Sequence, residues 1–319
     1  MTNSKELRLI VIVGPTASGK SDLSIKLAKK YNGEIISADS RQVYRDMDIG
    51  TGKVTRDKSR DIKTRNLNLK TAEFYSDGIR HHLIDVADPK QIFTVAHFQK
   101  LGHRAIQDIL KRKKLPIIVG GTGQYIDTLV YNFALPEVPP DYKLRAKLDK
   151  QSTEQLFKQL QELDPKRADN IDRHNPRRLI RALEIIESLG KVPPLVSKSY
   201  VLSPQSYDVL WLGLNPKNLN KRIVVRLSAR FRQGIIAEVK KLRTKGVSWQ
   251  RLHDFGLEYR WIAEYLQDKI SKDEMLLGLG QAIRQYSKRQ MTWFKRNKKI
   301  SWIRSSREAV FLVTRFLES

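Results

Sequence analysis

The chain has 319 residues, of which 40% are hydrophobic and 29% charged, a composition typical of a globular protein with a large core. It carries 60 lysine and arginine residues against 34 acidic ones, and this net charge of +26 favours a phosphate-rich partner such as nucleic acid over a merely solubilising surface. Cysteine is absent, which excludes thiolate sites. No apolar run approaches the ~20 residues of a membrane span or the ~7–15 of a secretory signal, and we therefore expect a cytoplasmic protein without a membrane anchor.

The first predicted element is a strand at residues 9–13, whose β-branched run is typical of a parallel sheet buried on both faces. A glycine-rich loop follows it and leads into an apolar helical periodicity, which is the context of a phosphate-binding P-loop. The loop residues are Gly14, Pro15, Thr16, Ala17, Ser18, Gly19, Lys20 and Ser21. Backbone N–H groups, the Lys20 cation and the Ser21 hydroxyl together predict a bound diphosphate or triphosphate, such as that of ATP, with Mg²⁺ at Ser21.

A second strand at residues 34–37 precedes Asp39. Because the carboxyl ends of neighbouring parallel strands share one crevice, we expect Asp39 to face the P-loop. Its carboxylate suits three roles, namely a ligand of Mg²⁺, a general base or an N-cap of the next helix. A glycine-punctuated loop at residues 48–52 follows near the same edge.

Residues 53–78 are polar and weakly periodic, and we interpret them as an exposed excursion. His81 and His82 come next and suggest a metal site. Adjacent residues point to different faces, however, and no third ligand stands at a suitable spacing, so we favour structural histidines. Helical periodicity runs from residue 93 to 110.

The strand predicted at residues 115–119 ends in Gly120, Gly121 and Thr122. Hydrolytic P-loop proteins usually carry an aspartate on such a strand to hold Mg²⁺. Backbone N–H groups and a hydroxyl take its place here, which favours transfer of a group to an acceptor over nucleotide hydrolysis.

Proline-rich segments at residues 135–140 and 193–204 flank a region of helical periodicity. We therefore predict an α/β fold, a P-loop NTPase-like parallel sheet flanked by helices, built from residues 1–135 and 205–319. Residues 136–204 form a helical insertion domain in this prediction. A further strand at residues 209–214 returns the chain to the sheet.

Arginine clusters mark the second half of the chain. Arg177, Arg178 and Arg181 surround a predicted helix start, where they form either a solvated face or a phosphate contact. A later helix carries Arg222, Arg226 and Arg230 on one stripe with no intervening acid, an arrangement that suits a bound anion.

Residues 281–300 contain no acidic residue and interleave basic side chains with aromatic ones. Cations that hold a backbone and rings that stack on splayed bases are what RNA loop recognition requires. Core-facing aromatic side chains with a solvated basic back are the alternative for Tyr286, Trp293 and Phe294.

Taken in order, these motifs resemble those of the bacterial tRNA dimethylallyltransferases, the tRNA isopentenyltransferase or IPP transferase family. The stretches that carry the resemblance are Gly14–Ser21, Ser37–Ser40, Gln42–Arg45, Met47–Thr51, His81–Asp85, Gly120–Thr122 with Tyr125, Arg177 with Arg181–Glu184, Arg222 with Arg226, Lys288–Gln290 and Trp293–Phe294. They cover nearly the whole chain, and their order is more specific than any one of them.

The resemblance implies transfer of the dimethylallyl group of dimethylallyl diphosphate to N6 of the adenosine at tRNA position 37, with release of diphosphate. It implies that the P-loop with Mg²⁺, Lys20 and Ser21 holds the diphosphate, supplemented by Arg222. Asp39 is then the general base, and Thr122 aligns N6 or a phosphate oxygen. Asp39, Thr122 and Arg222 are the expected catalytic residues.

Expected partners are the tRNA anticodon stem-loop and dimethylallyl diphosphate, bound by a monomer. The expected tRNA contacts are Asp39, Ser40, Arg41, Gln42, Thr122, Arg145, Arg177, Arg178, Arg181, Arg260, Arg284, Lys288 and Arg289. Residues 141–319 hold 37 of the basic and 19 of the acidic residues, so the excess positive charge lies mainly outside the half with the P-loop. A P-loop kinase for a small acceptor and an RNA-binding module with a vestigial P-loop remain as alternatives.

Overall fold

The structure is a computed structural model that describes residues 7–57, 73–136, 138–193 and 207–319. The chain divides into two compact units, Met1–Tyr131 with Ser203–Ser319, and Asn132–Leu202. Most of the expected excursion at residues 53–78 and of the second proline-rich segment lies outside the described residues. Among the described helices, none is long and apolar enough to cross a lipid bilayer.

The described part of the first unit contains a seven-stranded sheet in the order β3-β4-β2-β5-β1-β6-β7. The strands are β1 Leu7–Val13, β2 Gly33–Ala38, β3 Phe74–Ser76, β4 Ile79–His82, β5 Leu115–Gly120, β6 Tyr207–Leu214 and β7 Ser301–Ile303. All neighbouring pairs are parallel except the β3–β4 hairpin. The α/β fold with a parallel sheet is thereby confirmed.

The described part of the first unit also contains nine helices. They are α1 Lys20–Lys30, α2 Val95–Lys111, α3 Gly123–Val130, α8 Leu219–Arg232, α9 Ile235–Thr244, α10 Trp249–Phe255, α11 Leu257–Tyr265, α12 Lys272–Phe294 and α13 Ser306–Glu318. The second unit contains α4 Tyr142–Leu148, α5 Thr153–Leu163, α6 Pro165–Ala168 and α7 Pro176–Leu189.

The central strand β1 is buried on both faces, which explains its uninterrupted apolar sequence. Leu9 and Val11 pack with side chains of α2 and α3, whereas Ile10 and Ile12 pack with side chains of α1 and α13. The alternation follows the two-residue period of a strand. The strand that leads into the P-loop is therefore packed against helices on both faces of the sheet.

A second apolar cluster joins the N-terminal and C-terminal parts of the first unit. Val43, Tyr44 and Met47, which follow β2, pack against side chains from α9, α10 and α11. Tyr44 also stacks at a tilt against Phe255, with 5.1 Å between ring centroids. This cluster fixes the start of the loop at residues 48–52 against the C-terminal helices.

The second unit has its own core of leucine, isoleucine and alanine side chains from α4 to α7. Helix α7 begins as its sequence predicts, because Asn175 caps the N-terminus and Pro176 occupies the first turn. It ends at Gly190, which adopts a left-handed conformation with φ +75°.

Candidate functional site

The P-loop occupies the turn between β1 and α1, at the carboxyl edge of the sheet. Gly14 has φ +151°, and a Cβ atom there would lie 2.5 Å from the carbonyl oxygen of Leu214. The Lys20 ammonium donates a hydrogen bond to the carbonyl of Pro15 at 2.8 Å. The loop therefore wraps around its own lysine in the manner of a phosphate-binding site.

A cavity of about 870 Å³ opens beside the P-loop, with Lys20 and Ser21 on one wall and α8 on the other. Arg222 of α8 donates through Nε to the carbonyl of Ala17 at 2.7 Å. Arg222 and Arg226 both line the cavity. The positive charge of α8 is thus directed at the space above the loop, which suits a diphosphate.

The cations of this cavity repel one another. Burial and the neighbouring Arg226 lower the pKa of Lys20 from its usual 10.5 to about 8, against the opposing attraction of Asp39. Burial and Arg230 likewise lower the pKa of Arg226 to about 10. An anion bound between these groups would relieve the repulsion and hold both in the charged form.

Arg230 differs from the other two arginines of the stripe. It is buried and forms an ion pair with Glu258 of α11. The stripe was expected to suit a bound anion because no acid intervenes on α8, but the carboxylate that pairs with Arg230 comes from another helix.

The ends of β2 and β5 meet next to the P-loop. The backbone N–H of Thr122 donates to the carbonyl of Ala38 at 3.2 Å, and the N–H of Ser40 donates to the Thr122 hydroxyl at 3.1 Å. A Cβ atom on Gly120 would lie 2.1 Å from the Ala38 carbonyl oxygen. The glycine turn at the end of β5 thus permits the close approach that joins Thr122 to the Asp39 turn.

Asp39 caps the turn that follows it through one of its two carboxylate oxygens. Its Oδ1 accepts hydrogen bonds from the backbone N–H groups of Arg41 at 2.8 Å and Gln42 at 3.3 Å. Its Oδ2 has no hydrogen-bond partner among the residues that the structure describes. Asp39 lines a small cavity of about 70 Å³ together with Lys20 and Ser21. The capping role and a chemical role are therefore compatible.

Tyr286 of α12 faces the same small cavity. Burial and the charge of Asp39 raise the pKa of its hydroxyl well above the usual value, although a hydrogen bond with Thr122 opposes this. The hydroxyl is consequently neutral over the physiological range. Tyr286 thus adds an uncharged polar group to the cavity that Asp39 lines.

Gln290 joins two parts of the site, and sequence reasoning assigned it no role. Its Oε1 accepts a hydrogen bond from the backbone N–H of Thr16 at 2.8 Å, and its Nε2 donates to the carbonyl of Gly121 at 2.9 Å. The sequence did contain a signal for this role. Ser287 and Gln290 are polar, yet they stand on the buried face of α12, where the helical periodicity predicts apolar residues.

Comparison with known proteins places this geometry in a family. The family model described as IPP transferase matches residues 42–297. The chain belongs to the IPP transferase family. The P-loop and Asp39 lie just before the range that this family model matches.

Relatives of this IPP transferase family member extend over almost its whole length. A tRNA dimethylallyltransferase of Alkaliphilus oremlandii is 39% identical over 301 residues, which cover 92% of this chain and 90% of that protein. The solved structure of a tRNA isopentenylpyrophosphate transferase from Bacillus halodurans is 34% identical, with a TM-score of 0.66, and the match covers 98% of this chain and 95% of that one. The solved structure of a eukaryotic dimethylallyltransferase acting on tRNA is 26% identical, with a TM-score of 0.75, and the match covers 98% of this chain and 80% of that one.

The residues expected to contact tRNA in the first unit lie in two places. Arg41 donates to the carbonyl of Phe255 at 2.7 Å, and Arg260 donates to the carbonyl of His253 at 3.3 Å. Arg284 and Lys288 line a groove of about 600 Å³ between α12 and the start of α8. Arg289 is exposed beside it.

The arginines expected to contact tRNA in the second unit have different surroundings. Arg145 and Arg181 both pair with the buried carboxylate of Glu184, and Arg181 also donates to the carbonyl of Val138 at 2.9 Å. Arg177 and Arg178 are exposed. The latter two are free to meet a phosphate, whereas the former two already hold the unit together.

The aromatic residues of the basic stretch turn inward. Phe294 is buried in the core beneath the sheet, Trp293 donates through Nε1 to Asp127 at 2.9 Å, and Tyr286 lines the small cavity. The alternative of core-facing rings with a basic outer face therefore describes this helix better than base stacking.

The histidine pair is structural, as we expected. His81 is 5% exposed, contacts the carbonyl of Ile79 at 3.0 Å, and burial lowers its pKa to about 4. His82 contacts the buried carboxylate of Glu34 at 2.8 Å. Across the described ranges, no three histidine, cysteine or acidic side chains are grouped as a metal site.

The oxygen donors at the P-loop nevertheless fit Mg²⁺. The Ser21 hydroxyl and the Asp39 carboxylate line one small cavity, and Ser21 also lines the larger one. Mg²⁺ typically takes one or two protein oxygens and completes its coordination with substrate phosphates and water. Ser21 is the residue that would hold the ion next to a bound diphosphate.

Proposed function

We propose that this protein is a tRNA dimethylallyltransferase, which transfers the dimethylallyl group of dimethylallyl diphosphate to N6 of the adenosine at tRNA position 37. The observation that carries the proposal is the meeting of Lys20, Arg226 and Asp39 at one crevice, where cations for a diphosphate stand beside a carboxylate. The names of the relatives from Alkaliphilus oremlandii and from a eukaryote describe the same kind of transfer to tRNA.

The diphosphate occupies the larger cavity in this proposal. The P-loop N–H groups, Lys20, Arg222 and Arg226 surround the oxygens that gain negative charge as the bond to the dimethylallyl carbon breaks. Each such preorganised donor typically contributes about 3–4 kcal/mol to transition-state stabilisation. Mg²⁺ held at Ser21 would neutralise further charge on the leaving group.

Asp39 acts on the acceptor. The lone pair of N6 is delocalised into the adenine ring, so the amine becomes a good nucleophile only as a proton is removed. The N6–carbon bond forms, the carbon–oxygen bond to diphosphate breaks, and the N6 proton passes to Oδ2 of Asp39. Thr122 and Tyr286 orient the base, with Oδ1 of Asp39 kept in place by the Arg41 N–H.

The tRNA is held by basic side chains outside the crevice. We assign backbone contacts to the exposed Arg177 and Arg178 of the helical unit and to Arg284, Lys288 and Arg289 of α12. The adenosine must leave its stack to reach Asp39, and an anticodon loop makes this less costly than a duplex would. We further propose that the enzyme acts as a monomer in the cytoplasm.

The deciding assay combines the enzyme with Mg²⁺, labelled dimethylallyl diphosphate and an unmodified tRNA that has adenosine at position 37. We expect label on N6 of that adenosine and none in a tRNA with guanosine there. Absence of label in the first tRNA contradicts the proposal. Labelled ATP in a parallel reaction distinguishes it from a kinase, since we expect no phosphoryl transfer.

A further inference from the structure

Glu238 lies in the first turn of α9 and holds a segment from the other end of the chain. Its Oε2 accepts hydrogen bonds from the backbone N–H groups of Asp48 at 2.8 Å and Ile49 at 2.6 Å, and its Oε1 accepts from Gly50 at 3.0 Å. The Tyr259 hydroxyl donates to the same Oε1 at 2.9 Å. One carboxylate thus satisfies three consecutive backbone donors of residues 48–50.

The segment that Glu238 holds contacts both halves of the proposed reaction site. The carbonyl of Gly52 accepts a hydrogen bond from Arg226 at 3.2 Å. The carbonyl of Thr51 accepts from the side chain of Gln42 at 3.4 Å, and the backbone N–H of Gln42 donates to Oδ1 of Asp39 at 3.3 Å. Residues 48–52 therefore connect the cation of the diphosphate cavity with the turn that carries the proposed base.

Side chains of two helices pack closely against the glycines of this segment. A Cβ atom on Gly50 would lie 2.6 Å from the Tyr259 hydroxyl oxygen. A Cβ atom on Gly52 would lie 2.1 Å from a guanidinium nitrogen of Arg226 and 2.5 Å from one of Arg230. The glycines are required because side chains of α8 and α11 fill the space on both sides, so the position of the segment sets the position of Arg226.

We infer that Glu238 is a positioning residue for the proposed transfer. It lines neither cavity, and it acts through residues 48–52 on Arg226 and on the Asp39 turn. The expected effect of Glu238 on turnover rests on the proposed function. The expected effect of Glu238 on diphosphate affinity does not depend on it. Loss of the Glu238 carboxylate frees the segment and misplaces Arg226.

The experiment compares Glu238→Gln and Glu238→Ala with the wild-type enzyme. Inorganic diphosphate is titrated by calorimetry, kcat and both KM values are measured, and thermal unfolding is followed in parallel. We expect Glu238→Ala to lower kcat/KM for dimethylallyl diphosphate by about 10²-fold, as misplacement of a reacting group by about 1 Å does. Diphosphate affinity falls with it, KM for tRNA stays unchanged, and Glu238→Gln is intermediate because it keeps one acceptor oxygen.

Two further variants serve as controls. Glu274→Gln alters another carboxylate that accepts a backbone N–H, that of Ser271 at 2.7 Å, at the start of α12, and we expect no change in any constant. Tyr259→Phe removes one donor to Glu238 but leaves the three backbone donors, and we expect a smaller effect than Glu238→Ala.

Two results overturn the inference. One is unchanged diphosphate affinity and turnover in both Glu238 variants. The other is a loss of tRNA affinity in proportion to a loss of thermal stability, which would mark Glu238 as a general structural residue. A wild-type enzyme that binds diphosphate but does not label tRNA contradicts the proposed function instead, and the diphosphate titrations then decide the role of Glu238 alone.

Discussion

The side chain of Gln290 accepts a hydrogen bond from the backbone N–H of Thr16, 2.8 Å away in space and 274 positions away in sequence. Gln290 lies on the inner face of α12, and Lys288 and Arg289 are exposed on the outer face of the same helix. The helix that presents basic groups to solvent is thus bonded directly to the phosphate-binding loop.

We expect Gln290→Ala to weaken diphosphate binding. The change leaves the Thr16 N–H and the buried Gly121 carbonyl without their partner, at a cost of about 1–3 kcal/mol for each unsatisfied group. Calorimetric titration with inorganic diphosphate measures the loss. Gln267→Ala is the control, since it removes a side-chain amide that donates to the carbonyl of Ala263, four residues earlier in α11. Equal diphosphate affinity in both variants would contradict the role of Gln290.

Asp39→Asn separates the chemical role of Asp39 from its capping role. Asparagine keeps an acceptor for the Arg41 N–H but cannot take a proton, so turnover should fall by about 10²–10⁴-fold while tRNA affinity is retained. Asp88→Asn is the control, because Asp88 caps the Lys90 N–H at 2.9 Å in the same way outside the crevice. Parallel loss of turnover and tRNA binding in Asp39→Asn would show that Asp39 is a binding residue.

The affinity for diphosphate should depend on pH through Lys20. Its folded pKa is lowered to about 8, so in the free enzyme it is charged below this pH and loses its charge as the pH rises through it. We therefore expect diphosphate affinity to fall between about pH 7 and about pH 9.5. The Lys20→Arg variant keeps its charge over this range. Because diphosphate itself titrates equally in both experiments, the difference between the two proteins isolates the contribution of Lys20. Identical pH dependence in the two proteins would exclude Lys20 as the source.

Gly52→Ala should reduce diphosphate affinity through steric displacement of Arg226. The added Cβ would also suffer backbone strain, since Gly52 has φ +62°. Gly190→Ala isolates the strain, because Gly190 has φ +75° but no atom within 4 Å of its Cβ position. We expect both variants to lose stability and only Gly52→Ala to lose affinity, as measured by thermal unfolding and calorimetry. Unaltered diphosphate binding by Gly52→Ala would contradict this account.

The arginines of α7 should separate into contact and structural residues. Arg177→Ala should reduce the slope of log affinity for tRNA against log salt by about 0.7–0.9, the effect of removing one phosphate neutralisation, and should not change unfolding. Arg181→Ala should destabilise the helical unit by about 1–2 kcal/mol, a value discounted for solvent screening because the Arg181 side chain is 35% exposed. An unchanged salt slope for Arg177→Ala would remove it from the tRNA contacts.

Local sequence signals predicted the frame of the molecule. The P-loop and the buried parallel strands depend on short-range patterns, namely the β-branched runs and the glycine turns that follow them. The β3–β4 hairpin was missed because Phe74–Ser76 is three residues long and follows a polar segment without alternation. A strand this short is hard to predict, because pairing with the neighbouring strand stabilises it more than the β-propensity of its own residues does.

Partner identity was beyond the reach of the sequence. In α7 the i,i+3 spacing of Arg181 and Glu184 permits an ion pair that Arg177 lacks, but it does not show that Glu184 is buried or that Arg145 reaches it as well. Gln290 and Glu238 likewise acquire their roles from contacts across 169 to 274 positions. Charge and periodicity describe the helix on which a residue stands, whereas the neighbour it meets is decided by packing.

The position of β6 next to β1 has a consequence for biosynthesis. The strand that flanks β1 on one side begins at Tyr207, and the hydrogen bond of Thr16 with Gln290 requires the chain as far as α12. A nascent chain on the ribosome can form β1, β2 and β5 but still lacks one wall of the phosphate cavity. The crevice can therefore assemble only after α12 has been synthesised, and products that terminate before α12 carry a P-loop without a finished site.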